Sequence, residues 1–238
     1  MLLRIGITGG SGFIGTHVTN VLKSKYEVVI FDRLKPKIDG IEFIEGNIID
    51  DSVKNAFEGC DVVIHLAAAV GVKTTEEDPI LTLNTNILGT KNVLEACKSN
   101  NVKKIILASS SEVYGEPLKT PIEESDPAIP ITSYGVSKIA AEEYVKAYAI
   151  SFGLKYTILR FFNAYGPGQS KDFVIPEFVN NASQNNPILI HGSGSQVRSF
   201  CHIGDISRGV SSSIEKGDNE IINIGNANEP ITISELAK

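Results

Sequence analysis

The sequence predicts an α/β protein with a mostly parallel sheet covered by helices on both faces. Two observations carry this. Short apolar runs of strand length alternate with longer segments whose apolar residues recur at three and four positions. The strand runs do not alternate apolar with polar, which implies burial on both sides. A third observation, the glycine-rich turn between the first strand and the first helix, indicates where such a sheet binds its ligand.

The elements follow in order. "LLRIGITG" reads as the first strand and "FIGTHVTNVLKSK" as a helix. "EVVIFD" and "IEFIEGNI" read as the second and third strands. "DDSVKNAFEG" opens with an Asp at a helix cap and predicts a helix. "DVVIHLAAA" is a fourth strand and "PILTLNTNILGTKNVLEACKSN" one long helix. "KKIILAS" is a fifth strand. "SYGVSKIAAEEYVKAYAISFG" is a second long helix closed by Gly153, and "KYTILRFF" is a sixth strand. After Tyr165 the pattern loosens. "GPGQ" is a turn, "FVIPEFVNNASQNN" a helix, and "PILIHGSGSQVRSF" a short strand with a Gly/Ser loop. "IGDISRGVSSSIEKG" is a helix, "EIINIGNA" a strand, and "TISELAK" the start of a helix. A chain ending inside that helix is read as naturally short or cut.

Bulk properties narrow the function. The 238 residues suffice for one large domain or a large domain with a small one. The net charge of −6 with interspersed signs leaves no basic run for a phosphate backbone, so nucleic acid is not an expected partner. No apolar run approaches the roughly 20 residues of a membrane span, and the first residues are too short and Gly-rich for a signal peptide. The three cysteines are far apart and show no metal-ligand spacing, which points to reduced thiols in a cytoplasmic protein and to no metal.

"ITGGSGFIG" places Gly9, Gly12 and Gly15 in a GxxGxxG between a strand and a helix. Glycines there allow a tight turn and close backbone approach to a pyrophosphate. The helix end offers its free N–H groups to the phosphates. Asp32 closes the second strand, where a carboxylate accepts hydrogen bonds from the adenine-ribose hydroxyls and repels a 2′-phosphate. That favours NAD. Arg33 beside it suits a phosphate, so NADP stays an alternative. Tyr134-Gly-Val-Ser-Lys138 puts a phenol and an ammonium one helical turn apart. A free tyrosine, with a pKa of about 10, is a poor base at neutral pH. The nearby ammonium and the positive nicotinamide ring are expected to lower that value.

With these motifs the chain resembles the extended short-chain dehydrogenase/reductases of the NAD-dependent sugar-nucleotide epimerase/dehydratase family, in particular its UDP-glucose 4-epimerase-like members. The resemblance runs from Gly9 to about Gly225. It implies a Rossmann-type doubly wound parallel sheet over residues 1–166, with helix 203–217 packing back on it. Residues 167–202 and 218–238 would form a small α/β substrate domain, incomplete because about the last quarter of a typical relative is absent.

The resemblance also implies roles. Gly9, Gly12, Phe13, Ile14 and Gly15 hold the cofactor phosphates, and Asp32 and Arg33 meet the ribose. The turn Gly46-Asn47-Ile48 lies against adenine, with Asn47 in place of the usual Asp. Leu66, Ala67 and Ala68 of "HLAA" line the nicotinamide ribose, and Asn86 begins the NxxGT helix motif. His65 itself is read as a satisfied core residue. Ser109 ends the fifth strand near the cofactor, Ser110 is the catalytic hydroxyl, Tyr134 the base and Lys138 its partner. Phe162 touches the nicotinamide region. Asn163 and Arg198 meet the nucleotide diphosphate, and Val174 belongs to the uridine-side wall.

The implied chemistry is removal of a sugar hydroxyl proton by Tyr134 while hydride leaves the same carbon for NAD. Ser111 and Glu112 stand where a 4,6-dehydratase carries an Asp-Glu pair, so dehydration lacks its acid. The leading expectation is a 4-epimerase of a UDP-hexose. Glu112 keeps a UDP-glucuronate-type decarboxylase open, and equally fits a residue that points to solvent or caps a turn. Tyr114 is read as a packing residue. A cofactor-binding sensor without turnover is the expectation from a different class. A homodimer through the helices at 82–99 and 133–152 completes the reading.

Overall fold

A computed structural model describes residues 2–238, and the side chains of all of these but 72–74. The chain runs β1 (Arg4–Thr8), α1 (Phe13–Leu22), β2 (Glu27–Asp32), β3 (Glu42–Glu45), β4 (Val62–His65), α2 (Val72–Glu77), α3 (Pro79–Leu83), α4 (Gly89–Ser99) and β5 (Lys104–Ser110). It continues through α5 (Ser133–Phe152), β6 (Lys155–Phe161), β7 (Ala164–Tyr165), α6 (Val174–Ser183), β8 (Val197–Ser199), β9 (Cys201–His202), α7 (Ile203–Ser212), β10 (Glu220–Ile224), β11 (Pro230–Thr232) and α8 (Ile233–Leu236).

Seven strands form one sheet in the order β10-β6-β5-β4-β1-β2-β3, every pair parallel. The strands are continuous apolar runs because both faces are covered. On one face Val93, Leu94 and Cys97 of α4 and Ala141, Val145 and Tyr148 of α5 pack with Val63, Ile105 and Ile158. On the other, Val18 and Leu22 of α1 and Ile203, Ile206 and Val210 of α7 pack with Ile7, Ile64 and Ile106. Truncating a wholly buried residue such as Leu94 to Ala costs about 2–5 kcal/mol. The strand order reverses between β1 and β4, so the carboxyl ends of β1, β2, β4 and β5 open onto the crevice where such sheets bind ligands.

Four expectations are corrected. The strand "EIINI" is not part of a smaller unit: β10 extends the main sheet by pairing with β6, Ile221 opposite Ile158. An isolated strand carries no address, and the apolar edge of β6 supplied one. "PILIH" is not a strand; Leu189 and Ile190 are exposed, and the short strand forms downstream as β8, where β11 offers an antiparallel partner. "DDSVKNAFEG" forms only a 3₁₀ turn, Asp51–Asn55, because Phe57 and Ala56 are drawn into the core at once. The long helix before β5 is interrupted between α3 and α4 by one π-helical turn, Asn84–Leu88.

The ends of α5 hold as expected: it starts at Ser133 and Gly153 closes it in the left-handed conformation (φ 71°). Thr132, not singled out in the sequence, caps it by accepting from the Gly135 N–H at 3.0 Å. The helix at the C-terminus is α8, held by a Thr232/Glu235 capping box.

Candidate active site

The glycine-rich turn is fixed by crowding. Gly9 has φ 71°, and a Cβ on Gly15 would lie 2.1 Å from the Gly9 carbonyl oxygen. Helix α1 therefore starts close against β1. No side chain caps it at Gly12 and its first turn holds no acid, so its first N–H groups are open to an anion. Phe13 and Ile14 open the helix half-buried. The Asp32 carboxylate accepts from the Ser11 N–H (3.0 Å) and the Leu34 N–H (3.2 Å), which sets it over the same turn. Arg33 is exposed beside it. An uncapped helix end with a strand-end carboxylate above it fits a pyrophosphate and a ribose diol, so the residues present fit a dinucleotide.

Around this turn, several predicted residues prove to be supports. Ile48 is buried against Gly89, and its carbonyl accepts from Asn92 at 3.0 Å. Asn47 accepts from the Ile49 N–H at 3.3 Å and shapes its own turn. Asn86, on the π-helical turn, is 2% exposed and fully engaged. Its Oδ1 accepts from the Ala69 N–H (2.7 Å), while its Nδ2 donates to the Ala69 carbonyl (3.1 Å) and the Ser137 hydroxyl (2.9 Å). It binds the loop after β4 to α5, so its side chain is not free for the cofactor contact expected of it. Leu66, Ala67 and Ala68 lead into that loop half-buried.

His65 is a core residue, as expected, and its tautomer follows from its neighbours. Thr90 Oγ1 donates to the Asn86 carbonyl (2.6 Å), so it accepts from His65 Nε2–H (3.0 Å). Thr8 Oγ1 then donates to Nδ1 (2.7 Å). Burial first, then the Lys138 charge, push the imidazole pKa down to about 3.

Strand β5 ends in Ser109 and Ser110, and the N-terminal turns of α5 bring Tyr134 and Lys138 beside them. Lys138 is buried; its Nζ donates to the Ala108 carbonyl at 2.8 Å and lies 5.5 Å from the Tyr134 ring centroid. Burial lowers the Lys138 pKa to about 8, against an upward pull from Glu142. In the chain by itself the Tyr134 pKa is raised. Burial is the main cause and the Glu112 charge adds to it, with the Ser110 hydroxyl pulling the other way. One ammonium aimed at a backbone carbonyl does not outweigh that burial. Ser111 and Glu112 stand on the 3₁₀ turn after β5. Glu112 is exposed and accepts from the Thr132 hydroxyl at 2.9 Å, which ties it to the cap of α5.

Behind this edge lies a polar network that the sequence reading passed over. Ser109 Oγ donates to Glu142 Oε1 at 2.5 Å, and Arg160 on β6 clamps both carboxylate oxygens from Nε (3.0 Å) and Nη2 (2.7 Å). Arg160 Nη1 also donates to the Tyr114 hydroxyl (2.8 Å), which donates to Asn223 Oδ1 (2.7 Å). Tyr114 is thus more than packing. The available signal was Glu142 itself, an acid two turns beyond Tyr134 on the face that meets the sheet.

The substrate-side residues follow β6, and only Phe162 among those predicted touches this network. Phe162 packs beside Tyr114, with centroids 6.2 Å apart. Asn163, at φ 31°, donates to the Ser199 carbonyl at 3.1 Å. Val174 begins α6 half-buried. Arg198 is exposed on β8 and donates to the Val197 carbonyl at 2.9 Å. Among the described residues no cluster of three or more His, Cys, Asp or Glu could hold a metal, and no helix is long and apolar enough to cross a membrane.

Residues 5–225 match the family described as the NAD dependent epimerase/dehydratase family. The chain is 37% identical to a putative UDP-glucose 4-epimerase of Methanocaldococcus jannaschii, over 97% of this chain and 79% of that protein. It is 39% identical to a UDP-N-acetyl-alpha-D-glucosaminuronate decarboxylase of Bacillus cytotoxicus, over 100% of this chain and 79% of that one. The solved Thermus thermophilus UDP-glucose 4-epimerase in complex with NAD superposes with a TM-score of 0.91 at 32% identity, covering 99% of this chain and 81% of that one. On the strength of the matched motifs, the sheet order and these relatives, the chain belongs to the NAD-dependent epimerase/dehydratase family.

Proposed function

We propose that the protein is an NAD-dependent sugar-nucleotide 4-epimerase acting on a UDP-hexose. The observation that carries this is the meeting of Ser110, Tyr134 and Lys138 at the end of β5, beside a glycine-rich turn that fits a dinucleotide. NAD supplies the oxidant that accepts hydride from the sugar carbon and gives it back. Tyr134 takes the proton of the C4 hydroxyl and later returns it. Ser110 hydrogen-bonds that oxygen and holds it toward the phenol. Lys138 keeps positive charge beside the phenolate as it forms. Arg198 binds the diphosphate, where its guanidinium fork suits two oxygens. Because Tyr134 is a raised, protonated phenol by itself, turnover depends on added positive charge at its side when the cofactor is in place.

A second reading is a UDP-glucuronate-type decarboxylase. It is favoured by Glu112, two residues after Ser110, and by the 39% identical relative. The bond from Thr132 to Glu112 supports the epimerase reading, because it gives that carboxylate a structural task. The test incubates the protein with NAD and UDP-glucose or UDP-glucuronate and follows products by NMR and mass. Conversion of UDP-glucose to its C4 epimer with no loss of CO₂ from UDP-glucuronate supports the proposal. CO₂ release without epimerisation supports the second reading. Bound NAD with no conversion of either leaves a sensor.

Pairing with a second copy through α4 and α5 is part of the proposal, supported by Val136 and Ile150 on α5 and by Leu88 in the π-helical turn that leads into α4, all of which are exposed. Light scattering at micromolar concentration should give twice the chain mass. The buried, free Cys60, Cys97 and Cys201 suit a reducing cytoplasm.

A further inference from the structure

We propose that Glu142 is a positioning residue of the catalytic centre: its carboxylate ties the strand end carrying Ser110 to the helix carrying Tyr134 and Lys138, and balances the buried Lys138 charge beside the phenol. The inference rests on the assignment of Tyr134 and Lys138 to proton transfer.

The geometry is a double clamp. Tyr134, Lys138 and Glu142 follow one another at single-turn spacing along α5. Two of the three reach consecutive residues of β5. Lys138 Nζ donates to the Ala108 carbonyl at 2.8 Å, and Glu142 Oε1 accepts from the Ser109 hydroxyl at 2.5 Å. Helix α5 is thereby pinned to the two residues that immediately precede Ser110, which sets the register of Tyr134 against that hydroxyl. Arg160 fixes the carboxylate from the other side as a two-point fork, and is itself held by Tyr114 and, through it, Asn223 on β10.

The charges point the same way. Glu142 is 1% exposed, Arg160 4% and Lys138 5%, so two buried cations share one buried anion. The titratable groups around Lys138 are Tyr134 and Glu142 on its own helix, His65 on β4 and, through Glu142, Arg160 on β6; Glu112 acts on Tyr134 from the turn after β5. His65 and Tyr134 are both neutral near pH 7, so Glu142 is the anion set against the burial of Lys138. Losing it favours release of the lysine proton and moves positive charge away from Tyr134.

The test reads Lys138 directly. Protein labelled with ¹³C at lysine Cε is titrated by NMR in the absence of substrate, with Lys138→Met to assign the signal. The wild-type midpoint lies near 8. In Glu142→Gln it falls by about one unit or more. The double variant E142Q/R160Q, which removes both members of the Glu142–Arg160 pair and so does not strand the guanidinium, falls in the same direction. The pH optimum for UDP-glucose turnover moves down with it. An unchanged midpoint in either folded variant overturns the proposal and makes Glu142 part of the scaffold only. Because the titration needs no turnover, this outcome is distinct from failure of the epimerase assignment, which is read from UDP-glucose alone.

Discussion

At the end of β5, Ser109, Lys138, Glu142 and Arg160 are each at most 5% exposed, and their polar groups are joined to one another, to the backbone or to Tyr114. In the segment beyond β7, Arg198 stands in solvent on a three-residue strand whose partner, β11, is equally short. Under the proposed mechanism, this contrast divides the labour. Groups that move protons need a fixed register and a low-dielectric setting, which packing and paired charges provide. Arg198, proposed to grip the diphosphate, would exchange water for ligand, and its exposure would let it do so at little cost to the fold.

The heaviest loss should come from the buried side of this contrast. Tyr134→Phe should lower turnover by about 10²–10⁴-fold, the range for removing a positioned acid–base group. Bound NAD, read by mass after denaturation, should stay at the wild-type level. Loss of NAD with loss of turnover would mean that the phenol supports the cofactor and not the chemistry.

Arg198→Ala probes the open side. Charge-assisted hydrogen bonds contribute about 1.5–3 kcal/mol, so KM for the UDP-sugar should rise by about ten- to a hundredfold with kcat little changed. The melting temperature should hardly move, because an exposed side chain away from the core carries little stability. A large fall in melting temperature would erase the contrast, since Arg198 would then be a structural member.

The mildest change is a pH dependence from His65. Its pKa is about 3 folded and about 6.5 unfolded, so the unfolded chain binds the proton first as pH falls. The stability it contributes is complete above about 6.5 and is lost progressively toward 3. Between pH 6.5 and 5 that amounts to about 2 kcal/mol. The depressed carboxylates Asp61 and Asp218 titrate below this window, so a fall in melting temperature there reports the imidazole. His65→Gln, which cannot charge, should flatten the curve across it.

What was legible in the sequence was what is local. Gly9, Gly12 and Gly15, the strand-end Asp32 and the Tyr134–Lys138 pair each lie within a short segment whose spacing dictates the geometry. Gly153 marks its helix end for the same reason. What stayed hidden depends on pairing across the sheet. Glu142 and Arg160 meet only because α5 lies over β5 and β6; the spacing from Tyr134 puts Glu142 on the inward face but does not name the partner it meets there. Asn86 has the right residue type for a ligand contact, but the π-helical turn brings its amide against Ala69 and Ser137. Strand β10 is five apolar-leaning residues with no mark of the edge it joins. The spacing of Tyr134 and Lys138 counts charges but does not report burial, which holds the phenol pKa up in the chain by itself; the lowering expected of it includes the nicotinamide charge.

At the heart of the proposed mechanism is transient oxidation at C4 by a cofactor that keeps the hydrogen it receives. UDP-glucose carrying deuterium at C4 tests it, incubated with the protein and NAD in ordinary water and followed by NMR. The mechanism predicts UDP-galactose with the deuterium still at C4. Product that has exchanged its C4 label for solvent hydrogen, or no C4 epimer at all, would contradict it.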